Sequence, residues 1–209
     1  MGKREPDMTP DKFEENFIIH DHEADCMRRF TPGAVLRRAQ QVSTDHCDTL
    51  GLTAQVYEQT HTAFLLAKLS VQWHRQLHTG DEVHAVTHPS APQRATYYRL
   101  TEFYHACTGA LACTIDTRWV LVDTNTKRIL RKAPDALPIP FTLPPRQETK
   151  LELLKADTAP VGQVTAGFSR CDVNGHLNNT QYADILCDYV PAGQMKKRDI
   201  RRLVLAYHR

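Results

Sequence analysis

One long amphipathic helix near the amino terminus constrains the fold more than any other feature of the sequence. Thr31 can cap a helix with its hydroxyl, and Pro32 suits the first helical position, where its missing N–H group costs nothing. Apolar residues then recur with the 3.6-residue period of a helix that buries one face; they are Val35, Leu36, Ala39, Val42 and Leu50. Gly51 follows where a left-handed C-terminal cap is expected. We therefore predict a helix from Pro32 to Leu50.

Extended segments surround this helix. Before it, Phe13 to His20 mixes polar and apolar residues as a strand does. After it come further strand-like runs separated by turn signals such as Thr79-Gly80-Asp81; they are His61 to His74, Glu82 to His88, Arg94 to Ala106, Leu111 to Asp123 and Lys127 to Arg131. A long central helix wrapped by an antiparallel sheet is an α+β arrangement known as the hot-dog architecture. We expect residues 1–132 to form one such domain.

The second part of the chain is predicted to begin a second domain. Residues 133–150 are expected to be a linker, because the stretch from Ala133 to Arg146 holds five of the twelve prolines and proline is disfavoured in central strands and helix interiors. In residues 151–209 the order of elements starts again, with a predicted strand at Val161 to Ser169, a helix from Asn179 to Tyr189 and a strand at Leu203 to Tyr207. We expect this second hot-dog to be incomplete, with the apolar face of its helix largely uncovered.

The composition is that of an ordinary globular protein. Of the 209 residues, 41% are hydrophobic, and the formal net charge of +2 is too small to indicate nucleic-acid binding. No run approaches the roughly 18 apolar residues that a membrane span needs, and the first residues do not resemble a signal peptide. The six cysteines are scattered without metal-ligand spacing. We therefore expect reduced thiols in a cytoplasmic protein.

A polar turn directly before the second helix carries the residues that indicate chemistry. These polar side chains crowd together within Gly167 to Tyr189; they are Asp172, Asn174, His176, Asn178 and Asn179. Asn178 is a suitable N-cap for the helix. A helix start presents unpaired N–H groups that can stabilise an oxyanion, and polar groups beside it can orient water. A purely structural interpretation, in which these residues form turns and caps and His176 is exposed by chance, also fits the pattern.

The segment from Asp172 to Tyr182 resembles the DxNxHxNNxxY signature of acyl-acyl-carrier-protein (acyl-ACP) thioesterases. The resemblance extends to the F-x-I-x-x-x-E-x-D pattern of Phe17 to Asp25, the helix end from His46 to Gly51, and the segment from Trp119 to Pro134. It implies a tandem double hot-dog whose first domain forms an acyl-chain tunnel and whose second holds the catalytic residues. It also implies hydrolysis of fatty acyl-ACP to free fatty acid and ACP, with no metal or organic cofactor.

The same resemblance implies roles for the motif residues. Asn174 and His176 would bind and polarise the thioester carbonyl or orient the attacking water, and Asp172 would position and tune His176. His176 suits proton transfer because the ordinary histidine pKa of about 6.5 lies near neutral pH. Substrate-binding residues are implied at Asn178 and Asn179. The family also uses an acidic residue just after the strand that follows the helix, a place that falls at or beyond Arg209.

The carrier is an acidic protein, so the resemblance predicts a basic docking surface. The candidate is a basic run before the last predicted strand; it comprises Lys196, Lys197, Arg198, Arg201 and Arg202. Two alternatives stay open: an acyl-CoA thioesterase, which shares the chemistry but binds another carrier, and a non-catalytic acyl-binding hot-dog protein. A homodimer is compatible with the resemblance. No nucleic-acid partner is expected.

Weaker candidate sites lie elsewhere in the sequence. His46 and Cys47 are flanked by acids in the string from Asp45 to Asp48, but a metal site there would need further ligands. Cys171 or Cys187 could act as a nucleophile with His176, although turn and packing roles suit both cysteines better.

Overall fold

The computed structural model describes residues 9–146, 151–153, 156–173 and 175–207. These residues form strands, α-helices and two short 3-10 turns, Asp21–Glu23 and Phe168–Arg170. In chain order the strands and helices are β1 (Phe13–Ile18), α1 (Pro32–Thr49), α2 (Ala54–Gln59), β2 (Thr62–Trp73), β3 (Glu82–Gln93), β4 (Thr96–His105), β5 (Ala110–Asp123), α3 (Gln181–Asp188), α4 (Ala192–Met195) and β6 (Arg202–Ala206).

The strands form one antiparallel sheet in the order β1-β3-β4-β5-β2-β6. The long strands β2 and β5 pair along almost their whole length, with Val71 opposite Ile115. Strand β6 adds to the other side of β2, where Leu205 lies opposite Leu69. The predicted α+β class with an antiparallel sheet is therefore confirmed, and the second part of the chain contributes a strand to the same sheet as the first.

Helix α1 lies across one face of this sheet. Its predicted bounds are confirmed to within one residue, and the Thr31 hydroxyl accepts a hydrogen bond from the Ala34 N–H at 3.3 Å, as an N-cap does. The predicted apolar face is buried against the sheet; the buried helix residues include Val35, Leu36, Ala39 and Val42, and the sheet residues in the same core include Leu69, Val71, Val83, Phe103 and Ile115. Each fully buried aliphatic or aromatic side chain contributes roughly 1.5–3 kcal/mol, so this interface holds the fold together.

The predicted strand from Lys127 to Arg131 is wrong. The Asp123 carboxylate accepts hydrogen bonds from two backbone N–H groups of the turn after β5, and Lys127 adopts a left-handed conformation with φ of 58°. The chain therefore turns back tightly and forms an isolated bridge between Val122 and Ile129. The Leu130 N–H still donates to the Leu121 carbonyl of β5 at 2.8 Å, and the Leu130 side chain packs in a second cluster with Leu137 and Phe141 of the proline-rich segment.

The predicted strand from Val161 to Ser169 is also wrong. Residues 161–167 form neither helix nor strand, and a 3-10 turn follows them. Val161 and Phe168 are 77% and 100% exposed. A strand needs a neighbouring strand for its backbone and a buried face for its apolar side chains, and the described part of the chain offers this segment neither.

Other elements differ in their bounds. Strand β3 continues through Pro89 to Gln93, whereas the prediction ended at His88. Because β1 pairs with β3 only as far as Thr87, β3 is an edge at Pro89, where a missing N–H group is tolerated. Helices α2 and α4 were not predicted. None of the helices in the described ranges is long and apolar enough to cross a bilayer.

The proline-rich segment packs against the first part of the molecule. Leu137 and Phe141 are buried in the second cluster, and the Leu143 carbonyl accepts a hydrogen bond from the Ala91 N–H at 2.7 Å. The Thr142 N–H also donates to the Asp11 carboxylate at 3.2 Å. Residues 147–150 of the predicted linker lie outside the described residues, and the domain boundaries stay a prediction.

Candidate functional site

The polar turn before α3 is a compact loop held by its own backbone. The Asp172 N–H donates to the His176 carbonyl at 2.8 Å, and the Asp172 carboxylate accepts from the His176 N–H at 3.1 Å. Gly175 has a φ of 73°, a left-handed conformation that glycine adopts without strain. Asn174, which was predicted to be catalytic, lies outside the described residues. In this loop Asp172 contacts the backbone of His176, and this contact fixes the shape of the turn.

The His176 side chain is exposed at the tip of this loop. Water can reach the ring at this position, which is compatible with a proton-transfer role. It also fits the structural interpretation of the motif. The role of His176 therefore stays a prediction.

Asn178 acts as a helix-initiating residue, but α3 begins later than predicted. The helix starts at Gln181 with Thr180 as its N-cap. The Asn178 side-chain oxygen accepts hydrogen bonds from the Thr180 N–H at 2.9 Å and from the Thr180 hydroxyl at 2.8 Å. The helix start is therefore two residues later than predicted, with Thr180 in the N-cap position but making no side-chain cap bond. The Asn178 side-chain oxygen bonds the N–H two residues ahead, as a capping side chain does.

Asn179 reaches the interface between the two parts of the chain. It lines a narrow cavity of about 20 Å³ between α1 and the sheet. The other lining residues are mostly apolar or carry hydroxyl groups; they are Leu36, Ala39, Gln40, Ser43, Leu66, Leu69, Thr101, Ile115, Thr117 and Trp119. The Asn179 carbonyl also accepts a hydrogen bond from the Tyr207 hydroxyl at 2.9 Å, just after β6. Of the predicted site residues, Asn179 is thus placed against the core of the first part of the chain.

A larger groove of about 610 Å³ lies on the outer face of β1, β3 and β4, away from the motif. Its lining includes two basic residues, Lys12 and Arg146, and two acidic residues, Glu14 and Glu102. The formal charges of these four groups cancel when histidines are neutral. None of the predicted site residues that the structure describes lines this groove, so its size does not make it the candidate site.

The structure does not support a metal at His46 and Cys47. The His46 Nδ1 accepts a hydrogen bond from the buried Arg99 guanidinium at 3.2 Å, and its Nε2 bonds the Thr9 carbonyl at 3.1 Å. A cationic guanidinium beside the ring disfavours a second cation, and both ring nitrogens are engaged. Burial raises the pKa of the Cys47 thiol. Among the described residues no cluster of three metal-ligating side chains occurs.

The cysteine nucleophiles are also weak candidates in the structure. Burial, together with the nearby Asp184, raises the pKa of the Cys187 thiol to about 11, so it is protonated near neutral pH and a poor nucleophile. The Cys171 thiol lies 3.5 Å from the Gly167 carbonyl, to which it donates in the turn before the motif. Both cysteines therefore have packing or turn roles.

The basic run forms an exposed surface beside β6. Its exposed residues are Lys196, Lys197, Arg198, Arg201 and Arg202. Arg29 of the first part of the chain donates hydrogen bonds to the Arg198 carbonyl at 3.1 Å and to the Met195 carbonyl at 2.8 Å. The backbone of the run is therefore fixed while its cationic side chains face outward.

Comparison with solved structures defines the class of fold first. The chain matches the crystal structure of a putative oleoyl thioesterase from Lactobacillus plantarum with a TM-score of 0.85, at 22% identity over 94% of this chain and 78% of that one. It matches the 12:0-ACP thioesterase from Umbellularia californica with a TM-score of 0.81, at 21% identity over 95% and 77%. These similarities support the hot-dog fold.

Sequence comparison then defines the family. Residues 10–139 match the acyl-ACP thioesterase N-terminal domain, and residues 155–209 match the acyl-ACP thioesterase C-terminal domain. The chain belongs to the acyl-ACP thioesterase family. It is 24% identical to the chloroplastic palmitoyl-acyl carrier protein thioesterase of Gossypium hirsutum over 99% of this chain and 56% of that protein. For the enzyme of the same name from Cuphea hookeriana the identity is 25%, over 94% and 51%. The chain thus spans about half the length of these relatives.

Proposed function

We propose that this chain carries the acyl pocket and the catalytic motif of a hydrolase that cleaves fatty acyl-ACP thioesters to free fatty acid and ACP. The observation that carries the proposal is the position of Asn179, a motif residue that lines the cavity between α1 and the sheet. A motif next to an apolar cavity can hold the thioester at the point where an acyl chain enters the core. Membership of the acyl-ACP thioesterase family supports the same substrate class.

The acyl chain is expected to lie between α1 and the sheet. The cavity of about 20 Å³ is too small for a fatty acyl chain, so neighbouring side chains must turn aside when substrate binds. Leu66 and Trp119 line the cavity and are only partly buried, which leaves them more room to move than the buried core. Leu36, Ala39, Leu69 and Ile115 then form the walls of a pocket that excludes water.

The chemistry proposed for the motif is water attack on the thioester carbonyl. The carbonyl oxygen gains negative charge as water adds, and N–H groups at the start of α3 can stabilise that charge. His176 takes the proton from the attacking water and returns it to the sulfur as the C–S bond breaks. The products are a free carboxylic acid and the carrier thiol. Asp172 holds the loop that carries His176 through two hydrogen bonds. Its N–H donates to the His176 carbonyl, and its carboxylate accepts from the His176 N–H.

The carrier is proposed to dock on the basic run beside β6. An acidic carrier protein is attracted to a cationic surface, and such charges act mainly on the rate of encounter. The exposed residues Lys196 and Lys197 suit this role because the backbone that carries the run is fixed by Arg29.

A comparison of carriers tests the proposed function. Release of free thiol is measured with one acyl group presented on ACP, on CoA and on a short pantetheine. We expect a higher kcat/KM for acyl-ACP than for acyl-CoA, and a smaller difference at high salt. A higher kcat/KM for acyl-CoA would instead identify an acyl-CoA thioesterase. Tight binding of acyl-ACP without thiol release would identify a non-catalytic acyl-binding protein.

A further inference from the structure

Helix α3 contacts the first turn of α1 through one carboxylate. Asp184, in the middle of α3, accepts a hydrogen bond from the Gly33 N–H at 2.9 Å through Oδ1. Its Oδ2 lies 3.1 Å from the Arg37 guanidinium, one turn further along α1. The two oxygens of Asp184 therefore bridge consecutive turns of α1. Ala183, the residue before Asp184, is fully buried in the core that α1 shares with the sheet.

This carboxylate completes the N-terminal cap of α1. Pro32 has no N–H group, and the Ala34 N–H is bonded by the Thr31 hydroxyl at 3.3 Å. The Gly33 N–H has no partner within its own helix turn, as is usual for the first turn. Asp184 satisfies this donor from the other part of the chain. Its negative charge also lies at the positive end of the α1 dipole, where an anion is favoured.

Gly33 permits this approach because it has no side chain. A Cβ atom built at position 33 would overlap all three atoms of the Asp184 carboxylate group. Glycine weakens a helix relative to alanine, and Gly33 is in a helix without a positive φ. Its presence in the first turn of the central helix is explained by the carboxylate that occupies the space of a Cβ.

Helix α1 carries both the contact with Asp184 and part of the wall of the cavity that Asn179 lines. Asn179 lines the cavity beside Leu36 and Ala39, which follow Gly33 on α1. Asn179 precedes α3 by two residues and Asp184 lies in the middle of α3, so the two residues meet α1 at two places. The position of Asp184 at Gly33 therefore sets where the motif turn meets the cavity wall.

We propose that Asp184 is a positioning residue that fixes α3, and with it the turn at Asn178 and Asn179, on the amino end of α1. The expected effect of Asp184 on catalysis rests on the proposed function. The contact between Asp184 and Gly33 can be measured without substrate. Asp184 acts through the position of α3 and does not touch the reacting atoms.

A double-mutant cycle tests the contact. Asp184→Ala removes the carboxylate, and Gly33→Ala places a methyl group where the carboxylate lies, so each single change breaks the same interaction. We expect both single variants to lower the midpoint of thermal unfolding, and the double variant to be no less stable than Asp184→Ala, because alanine at position 33 is then unobstructed. Gly193→Ala is the matched control, since no atom lies within 4 Å of a Cβ built there. Additive losses in the double variant would overturn the contact.

The catalytic effect is measured on the same variants. Misplacement of the motif turn should lower kcat for acyl-ACP by about tenfold to a hundredfold, with a smaller change in KM. Asp184→Asn, which keeps an oxygen for the Gly33 N–H, should recover most of the activity, and Arg37→Gln should have a small effect. An Asp184→Ala variant that is less stable but has an unchanged kcat would overturn the positioning role.

If the unmodified chain releases no fatty acid from acyl-ACP, the proposed function and the positioning role fail together. The unfolding cycle then still shows whether Asp184 and Gly33 interact.

Discussion

His46 and Arg99 show how one buried polar pair is accommodated in an apolar core. The His46 ring is fully buried and stacks on Phe13 with ring centroids 5.5 Å apart. Its Nε2–H donates to the Thr9 carbonyl, so Nδ1 is free to accept from Arg99. This arrangement requires a neutral imidazole. Burial, and then the Arg99 charge, lower the pKa of His46 from its usual value to about 4.

The depressed pKa of His46 predicts a loss of stability in acid. In the unfolded chain a histidine has a pKa of about 6.5, so below that pH the unfolded state binds a proton that the folded state excludes. The free energy of unfolding should therefore fall as the pH decreases from about 6.5 to about 4, and His46 should contribute roughly 3 kcal/mol of that loss. Below about pH 4 both states are protonated and His46 contributes no further change.

Urea unfolding at several pH values measures this effect. His46→Gln removes the titrating group and should be less stable at neutral pH but show a flatter dependence between pH 6.5 and 4 than the unmodified chain. His78→Gln is the control, because His78 is exposed. Parallel pH profiles for the unmodified chain and His46→Gln would show that another group causes the acid sensitivity.

At the scale of elements, Tyr207, directly after strand β6, contacts both the motif turn and α3. The Tyr207 hydroxyl donates to the Asn179 carbonyl at 2.9 Å. Its ring contacts Tyr182 of α3 edge to face, with centroids 5.4 Å apart. Burial raises the pKa of Tyr207, which favours the protonated hydroxyl that donates this bond. The pairing of β6 with β2 therefore fixes both the turn and the start of α3.

Tyr207→Phe tests this support. The ring packing is kept and one hydrogen bond is lost, so the free energy of unfolding should fall by about 1 kcal/mol. The activity on acyl-ACP should fall by more than the stability change explains, by roughly tenfold in kcat. Tyr98→Phe, on β4, is the control and should leave kcat unchanged. An unchanged kcat for Tyr207→Phe would mean that the Asn179 carbonyl needs no support.

The elements that were predicted correctly are those with local sequence signals, and the two wrong strands are those that would need a pairing partner. The period of α1, its Thr31 cap and the runs that became β2 to β5 are local signals, and the structure has all of these elements. The runs at Lys127 to Arg131 and Val161 to Ser169 have strand-like composition but lack a long pairing partner in the described residues. Strand pairing is a property of two segments, and composition does not supply the partner.

At the scale of the whole molecule, the site depends on contacts between distant parts of the chain. The motif was found in the sequence because its residues are adjacent, and Asn179 was among them. Asp184, Gly33 and Tyr207 were missed because their roles depend on distances between helices and strands. Gly33 offered one signal, a glycine in the first turn of an otherwise good helix. Tyr182 and Leu186 of α3, and Tyr189 directly after it, are exposed, as the sequence predicted for much of this face.

Charge reversal in the basic run tests whether it recognises the carrier. Lys196→Glu combined with Lys197→Glu should raise KM for acyl-ACP and weaken its dependence on salt, because rim charges act on encounter. The same variant should leave the hydrolysis of a short acyl-pantetheine unchanged. Arg131→Glu combined with Lys132→Glu reverses two exposed charges elsewhere and serves as the control. Equal effects on both substrates would show that the run has a structural role.

Single-turnover hydrolysis of acyl-ACP tests the central claim most directly. Enzyme in excess over acyl-ACP is quenched at intervals, free fatty acid is measured, and the binding of acyl-ACP is determined separately. The account predicts that His176→Ala slows release by about 10² to 10⁴-fold with unchanged binding and thermal stability, while His78→Ala behaves as the unmodified chain. Release by His176→Ala at the unmodified rate would contradict the claim that this turn is the catalytic centre.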